Sequence, residues 1–265
     1  MSITRDQLKT IIDEKLAVVE IVDLHTHLFS ADFDGMLLWG IDEILTYHYL
    51  IAEYFRYSQM DYADFFQLPK DQQADLVWHT LFLKRSPVSE AQRGVLTILQ
   101  RLGLDVGSRS LEAYREYFRS LTLDEQIDNV FKLAGVTEAV MTNDPFDPQE
   151  RAFWKRGIAP DPRFKSSLRI DPLLMNYPEA AQVLQAEGYE VDEDLGGNSA
   201  AEVRRFLTDW VQQIDALYMA ASLPPSFNVS ADSLLTRVLK ECVLPVCREQ
   251  GIPFAMRYSL TMPKP

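Results

Sequence analysis

The chain has 265 residues, 47% of them apolar and 25% charged, which is an ordinary globular composition. Its net charge of −13 opposes phosphate backbones and anionic membrane surfaces, so neither nucleic acid nor membrane is expected as a partner. A small anionic ligand would need a local cation to hold it against that field.

Two cysteines occur, Cys242 and Cys247. On one helix this spacing does not put them on a shared face, so they read as free thiols of a reducing compartment. The N-terminus is an amphipathic, charged helix without the apolar run of a signal peptide, and no stretch approaches the ~20 apolar residues of a membrane span. A cytoplasmic protein is expected.

In chain order, residues 5–18 read as a helix with an Ile3, Leu8, Ile11, Ile12, Leu16 stripe. Val18 to His25 is short, β-branched and mostly apolar, as a buried parallel strand should be. A long helical region follows, with helices expected from Asp42 to about Arg56, Lys70–Lys84, Ser89–Leu102, Leu111–Arg119 and Leu123–Ala134, punctuated by Ser86-Pro87, Gly103, Gly107 and Thr122. The aromatic stretch Tyr54–Phe66 reads as core or interface. After Gly135 strands alternate with helices. Strands are expected at Glu138–Asn143, Ser166–Ile170, Leu217–Ser222 and Ile252–Met256, with helices at Pro148–Arg156, Pro178–Glu187, Ala200–Ile214 and Ser233–Gln250. Such alternation implies parallel βαβ units.

Five strands would suffice for an open doubly wound sheet. Two features favour a barrel instead: polar residues at the carboxyl ends of several strands (His25, Asn143-Asp144, Arg169 with Asp171, Ser222), and no Gly-rich turn after the first strand. The expected fold class is therefore α/β, a partial (β/α)8 TIM-type barrel with about five of eight parallel strands. A large helical insertion follows strand 1. The expected division is 1–29 for the N-terminal helix and first strand, 30–135 for the insertion, and 136–265 for strands 2–5.

The sharpest chemical signal is Asp23-Leu24-His25-Thr26-His27. Side chains at i and i+2 of an extended chain point to one side, so two imidazoles at a strand end can converge on a single metal ion. Asp23 is in phase and could orient an imidazole. The bland alternative is a strand end with two incidental histidines. His48 and His79 read as surface or packing residues. Asn143-Asp144-Pro145 is expected to cap the following helix and shape its loop.

Several motifs in order carry a resemblance. Asp23-Leu24-His25-Thr26-His27-Leu28-Phe29, Asp42-Glu43-Ile44-Leu45-Thr46-Tyr47-His48-Tyr49-Leu50, Met141-Thr142-Asn143-Asp144-Pro145-Phe146-Asp147 and Leu168-Arg169-Ile170-Asp171-Pro172 resemble the uronate (glucuronate) isomerases of the amidohydrolase superfamily. The likeness runs to about Met256. The resemblance implies aldose–ketose isomerisation of hexuronates, D-glucuronate to D-fructuronate and D-galacturonate to D-tagaturonate. It also implies one divalent metal ion, typically zinc, on His25 and His27, a polar or acid–base role for Tyr49, and a sugar-carboxylate contact for Arg169. A homo-oligomer is compatible with it. Independently, Arg169 could simply bridge Asp171 or Asp144, and Tyr47 competes with Tyr49. Isomerisation moves one proton between carbons and another between their oxygens, which needs a base and an electrophile. A uronate carboxylate suits a guanidinium fork.

The chain departs from the family in lacking the later barrel strands and their Asp-containing motif. Its ending, Arg257 to Pro265, does not read like the family's continuation and resembles a shifted frame or early stop. On that reading the isolated chain is expected to be an N-terminal portion with an uncovered apolar inner face, poorly soluble or oligomeric, and with little isomerase activity. The alternatives are a metal-dependent hydrolase of the same superfamily, disfavoured because the fourth strand offers no lysine, and an inactive remnant.

Overall fold

The computed structural model describes residues 3–16, 18–157 and 160–258; the last seven residues of the terminal stretch read above, 259–265, lie outside the described residues. The chain divides into two compact units, one of residues 1–21 and 37–137, the other of 22–36 and 138–265.

The first unit is helical. It contains α1 (Arg5–Leu16), α2 (Ile41–Leu45), α3 (His48–Phe55), α4 (Tyr62–Gln67), α5 (Lys70–Trp78), α6 (Glu90–Arg101), α7 (Leu111–Arg119) and α8 (Leu123–Ala134). The sequence marks several boundaries. Ser89 with Gln92 and Thr122 with Glu125 form reciprocal capping boxes that start α6 and α8. Gly135, at φ 67°, ends α8 in the left-handed conformation that favours glycine. Leu45, Phe65, Val77, Leu81, Leu99 and Tyr114 lie in the core.

The expected single helix from Asp42 to Arg56 is corrected to two. Tyr47 is extended, with φ −67° and ψ 143°, and separates α2 from α3. Thr46 turns its hydroxyl back to the Asp42 carbonyl at 2.7 Å, a local bond that competes with continued helix. In the aromatic stretch, Tyr54 and Phe65 are buried, whereas Tyr57, Tyr62 and Phe66 are exposed.

The second unit holds the sheet. Its strands are β1 (Ile21–Thr26, whose first residue groups with the helical unit), β2 (Val136–Asn143, whose first two residues do likewise), β3 (Phe164–Arg169), β4 (Ala216–Leu223) and β5 (Phe254–Tyr258), in spatial order β1-β2-β3-β4-β5. The strands are parallel and curl into a half-barrel. Connecting helices are α9 (Pro148–Lys155), α10 (Asp171–Met175), α11 (Tyr177–Ala186), α12 (Ser199–Gln213), α13 (Leu234–Val238) and α14 (Leu244–Gln250), the last two joined by a π-helical turn. Leu168 and Met219 are fully buried, as are Val203, Phe206 and Leu207 of α12. After β1, Phe33 stacks on Phe153 of α9, ring centroids 3.7 Å apart.

Register identifies the inner face. Val140 pairs with Lys165, Thr142 with Ser167, and Arg169 with Ala220. Ser222 pairs with Arg257. Thr142 meets His25 through its side chain, which places both on this same face. The face is thus largely polar, and its lower part carries a Lys165–Glu138 ion pair at 3.4 Å.

Two expectations are corrected here. The inner face is not a bare apolar surface. Nor is β1 a buried strand: it lies at one end of the strand order, next to β2 among the described strands, and Val22 and Leu24, on the side opposite His25, are 46% and 66% exposed. Cys242 and Cys247 are both free and buried, as their spacing implied.

Candidate functional site

The sheet unit places His25, His27, Thr142, Arg169, Asp171, Ser222 and Arg257 around a cleft of about 120 Å³, at the carboxyl ends of the strands. In parallel α/β folds this is the end where ligands bind, because the loops there vary while the strands hold them. A roomier cavity of about 640 Å³ in the helical unit is lined by Asp42, Glu43, Glu112 and Arg115. Arg115 there is already engaged by Asp42 and Glu112, so the smaller cleft is the better chemical candidate.

His25 and His27 stand edge to face, with ring centroids 5.1 Å apart. The i, i+2 spacing thus brings the two imidazoles together. Thr142 Oγ1 lies 3.3 Å from His25 Nδ1 and donates to the Thr26 carbonyl at 3.0 Å. Arg257 Nη1 lies 2.6 Å from His25 Nε2. Burial and the Arg257 guanidinium hold His25 below the ordinary imidazole value; Asp23 pulls the other way, and Arg169 adds to the lowering. Within β1 the Asp23 carboxylate accepts the backbone N–H of His25 at 3.1 Å.

Arg169 donates from Nε to Asp171 Oδ2 at 2.6 Å, so the structural alternative for this residue is present. The bond engages one N–H of the five a guanidinium carries. Asp171 Oδ1 accepts the backbone N–H of Ser222 at 2.8 Å, which ties the end of β3 to β4.

At the end of β2, α9 supplies a buried carboxyl. Glu150 accepts hydrogen bonds from Asn143 Nδ2 at 2.6 Å, the Asp144 backbone N–H at 2.8 Å and Trp154 Nε1 at 3.3 Å. Burial nevertheless pushes it up to about 7. The expected cap at Asn143-Asp144-Pro145 is corrected: Asp147 caps α9, accepting from the N–H groups of Gln149 and Glu150, while Asp144 turns the loop by accepting from Phe146. Asp144 itself is raised by burial, against the pull of Arg169.

Tyr49 lies on α3 in the helical unit, 62% exposed, its ring 5.7 Å from that of Tyr47. His48 and His79 are exposed, as expected.

Among the described residues, no group of three or more His, Cys, Asp or Glu side chains converges as a metal site would. Catalytic metal centres usually take three protein ligands. The described donor set, two imidazoles with a guanidinium on one of them, does not fit a complete metal centre.

Sequence reasoning did not single out Arg257, Thr142 or Glu150. Arg257 carried a usable signal, since it follows Ala255 by two residues at the end of the fifth strand and so shares its face.

No protein-family profile matches the chain, and no curated protein matches it. Among solved structures, it is similar to a uronate isomerase from Bacillus halodurans, with a TM-score of 0.91 and 48% identity over 97% of this chain and 61% of that one. A glucuronate isomerase from Caulobacter crescentus matches at a TM-score of 0.60 and 13% identity, covering 91% of this chain and 58% of its own. A uronate isomerase from Thermotoga maritima matches at 0.63 and 12%, covering 97% and 64%. The last two speak to the fold alone. No helix among the described residues is long and apolar enough to cross a membrane. The chain spans about three-fifths of the length of these relatives, and over that span it is similar in sequence and fold to a uronate isomerase.

Proposed function

We propose that this chain is part of a hexuronate aldose–ketose isomerase and that its cleft receives the sugar acid with the carboxylate on Arg169. The observation that carries this reading is the 48% identity to a uronate isomerase over 97% of the chain. The chemistry agrees with it. A protein of net charge −13 needs a local cation for an anionic ligand, and the cleft presents two guanidiniums, Arg169 and Arg257. Asp171 holds Arg169 by Nε, which orients the rest of its fork for a carboxylate.

Tyr49 is proposed as a polar or acid–base group on the substrate, on the strength of its motif. The domain division 1–29, 30–135 and 136–265 is proposed likewise from the sequence. The metal that such isomerases use, zinc by the family resemblance, would draw on His25 and His27. These two donors fall short of a centre, so no proton movement is assigned through it. On this reading the isolated chain binds uronate and turns it over slowly or not at all.

The test compares D-galacturonate with D-galactose as ligands, by calorimetry or ligand-observed NMR. Uronate should bind and the uncharged sugar should not, and Arg169→Met should abolish the difference. Equal behaviour of the two sugars, or an unaffected R169M variant, would remove the proposal.

A further inference from the structure

The hydrogen-bond donors around His25 fix which of its nitrogens carries the proton. Thr142 spends its single hydroxyl hydrogen on the Thr26 carbonyl, at 3.0 Å. Its oxygen is then an acceptor toward His25, so Nδ1, 3.3 Å away, is the nitrogen bearing hydrogen. That leaves a lone pair on Nε2. A guanidinium has donors and no acceptor, so the 2.6 Å contact from Arg257 Nη1 is a hydrogen bond donated into that lone pair. The reverse tautomer would set donor against donor at Nε2. Three groups on three strands thus agree on one state: Thr142 on β2, His25 on β1 and Arg257 on β5.

A metal ion bound by His25 would need the same lone pair. Metal-bound histidines use one ring nitrogen for the ion and donate the other N–H to an oxygen. Here the Thr142 side of that arrangement is built, while a guanidinium stands where the ion would be. Arg257 also brings a fixed positive charge to that position, and Arg169 lines the same cleft, so a second cation is opposed by charge as well as by occupancy.

We propose that Arg257 is a built-in competitor for the metal position on His25, which keeps the His25–His27 pair closed to divalent cations in this chain. The inference goes beyond hexuronate binding and does not depend on it.

The test is a titration of Zn2+ or Co2+ into the intact chain, with Arg257→Met beside it. Methionine keeps an apolar stem and removes the charge and every donor. Losing one charge-assisted hydrogen bond and its repulsion should tighten metal binding by about tenfold or more. The gain should vanish in the double variant carrying Arg257→Met and His25→Ala. Equal affinity in wild type and R257M, whether both bind tightly or neither binds, overturns the proposal, as does a gain that survives loss of His25. A second measurement needs no variant. Nitrogen-15 NMR of the metal-free wild type should find His25 protonated at Nδ1, and a proton on Nε2 would refute the arrangement directly.

Discussion

Asp171 joins two strands through its two oxygens: Oδ2 accepts from Arg169 Nε at 2.6 Å, and Oδ1 accepts from the Ser222 backbone N–H at 2.8 Å. One carboxylate therefore fixes a guanidinium and the strand end beside it together. Replacing it by asparagine leaves one acceptor and turns a donor toward one of these two groups. For Asp171→Asn we expect D-galacturonate affinity to fall by about tenfold. Stability should fall by about 1 kcal/mol, because the ion pair is partly exposed. Calorimetric binding alongside urea unfolding separates the two effects. Unchanged uronate affinity would mean that Asp171 does not position Arg169.

Glu150 sets burial against hydrogen bonding. Three N–H groups donate to it, and burial still pushes it up to about 7. Its folded value is thus raised above the ordinary 4.5. The sign follows: the neutral form favours the fold, so stability is fullest below about pH 4.5 and is lost as pH rises through 7. The loss attributable to this group is at most about 3 kcal/mol. Glu150→Gln cannot titrate, and its amide sets one donor against a neighbouring N–H equally at every pH. We expect it to match wild type within about 1 kcal/mol near pH 5 and to be the more stable protein above pH 7. Titrations common to both proteins cancel in the comparison. A variant less stable than wild type at pH 8 would show that the three donors outweigh burial.

Arg115 anchors the helical unit. Its Nε bonds both oxygens of Asp42, at 2.9 and 3.1 Å, and its Nη2 reaches the Asp71 carbonyl at 2.8 Å and Asp75 at 2.9 Å. Burial raises Asp42 above the ordinary carboxylate value even with this partner present. Arg115→Met should cost about 2 kcal/mol at pH 7, between the range for exposed pairs and that for buried ones. Without the guanidinium Asp42 rises further. The deficit should therefore shrink as pH falls toward 4, because a protonated Asp42 no longer needs a partner. A deficit independent of pH would place the cost in packing rather than in charge.

Much of this fold was legible because its boundaries are local chemistry. Capping residues Ser89 and Thr122 and the left-handed Gly135 state where helices start and stop without reference to the rest of the chain. The five strands were legible from alternation with helices. The break at Tyr47 was not, because Thr46 reaching back to Asp42 is a choice among local bonds that apolar periodicity does not record. The exposure of β1 was hidden for another reason: Val22 and Leu24 have the composition of a buried strand, and only the order of strands shows what lies beside them. At the site, the histidine pair was visible from spacing alone. Arg257 meets His25 across 232 positions, and no local pattern reports a contact made by sheet curvature.

Tyr218 tests how firmly the curled sheet is held. Its phenol, on β4, donates to the Leu24 carbonyl of β1, so one side chain spans the inner face between strands that are not neighbours in the sheet. Leu24 is itself 66% exposed, and apolar burial contributes little to holding it in place. Tyr218→Phe removes the bond and keeps the ring. Because the bond lies at an exposed position, global stability should change by less than about 1 kcal/mol. The effect should instead be local, as weakly packed segments open independently of the core. Amide hydrogen exchange in β1 should accelerate by about tenfold, while β3 and β4 exchange as in wild type. Uniform acceleration through all strands would show that the bond supports the whole sheet. No change in β1 would show that the strand is held by its pairing with β2 alone.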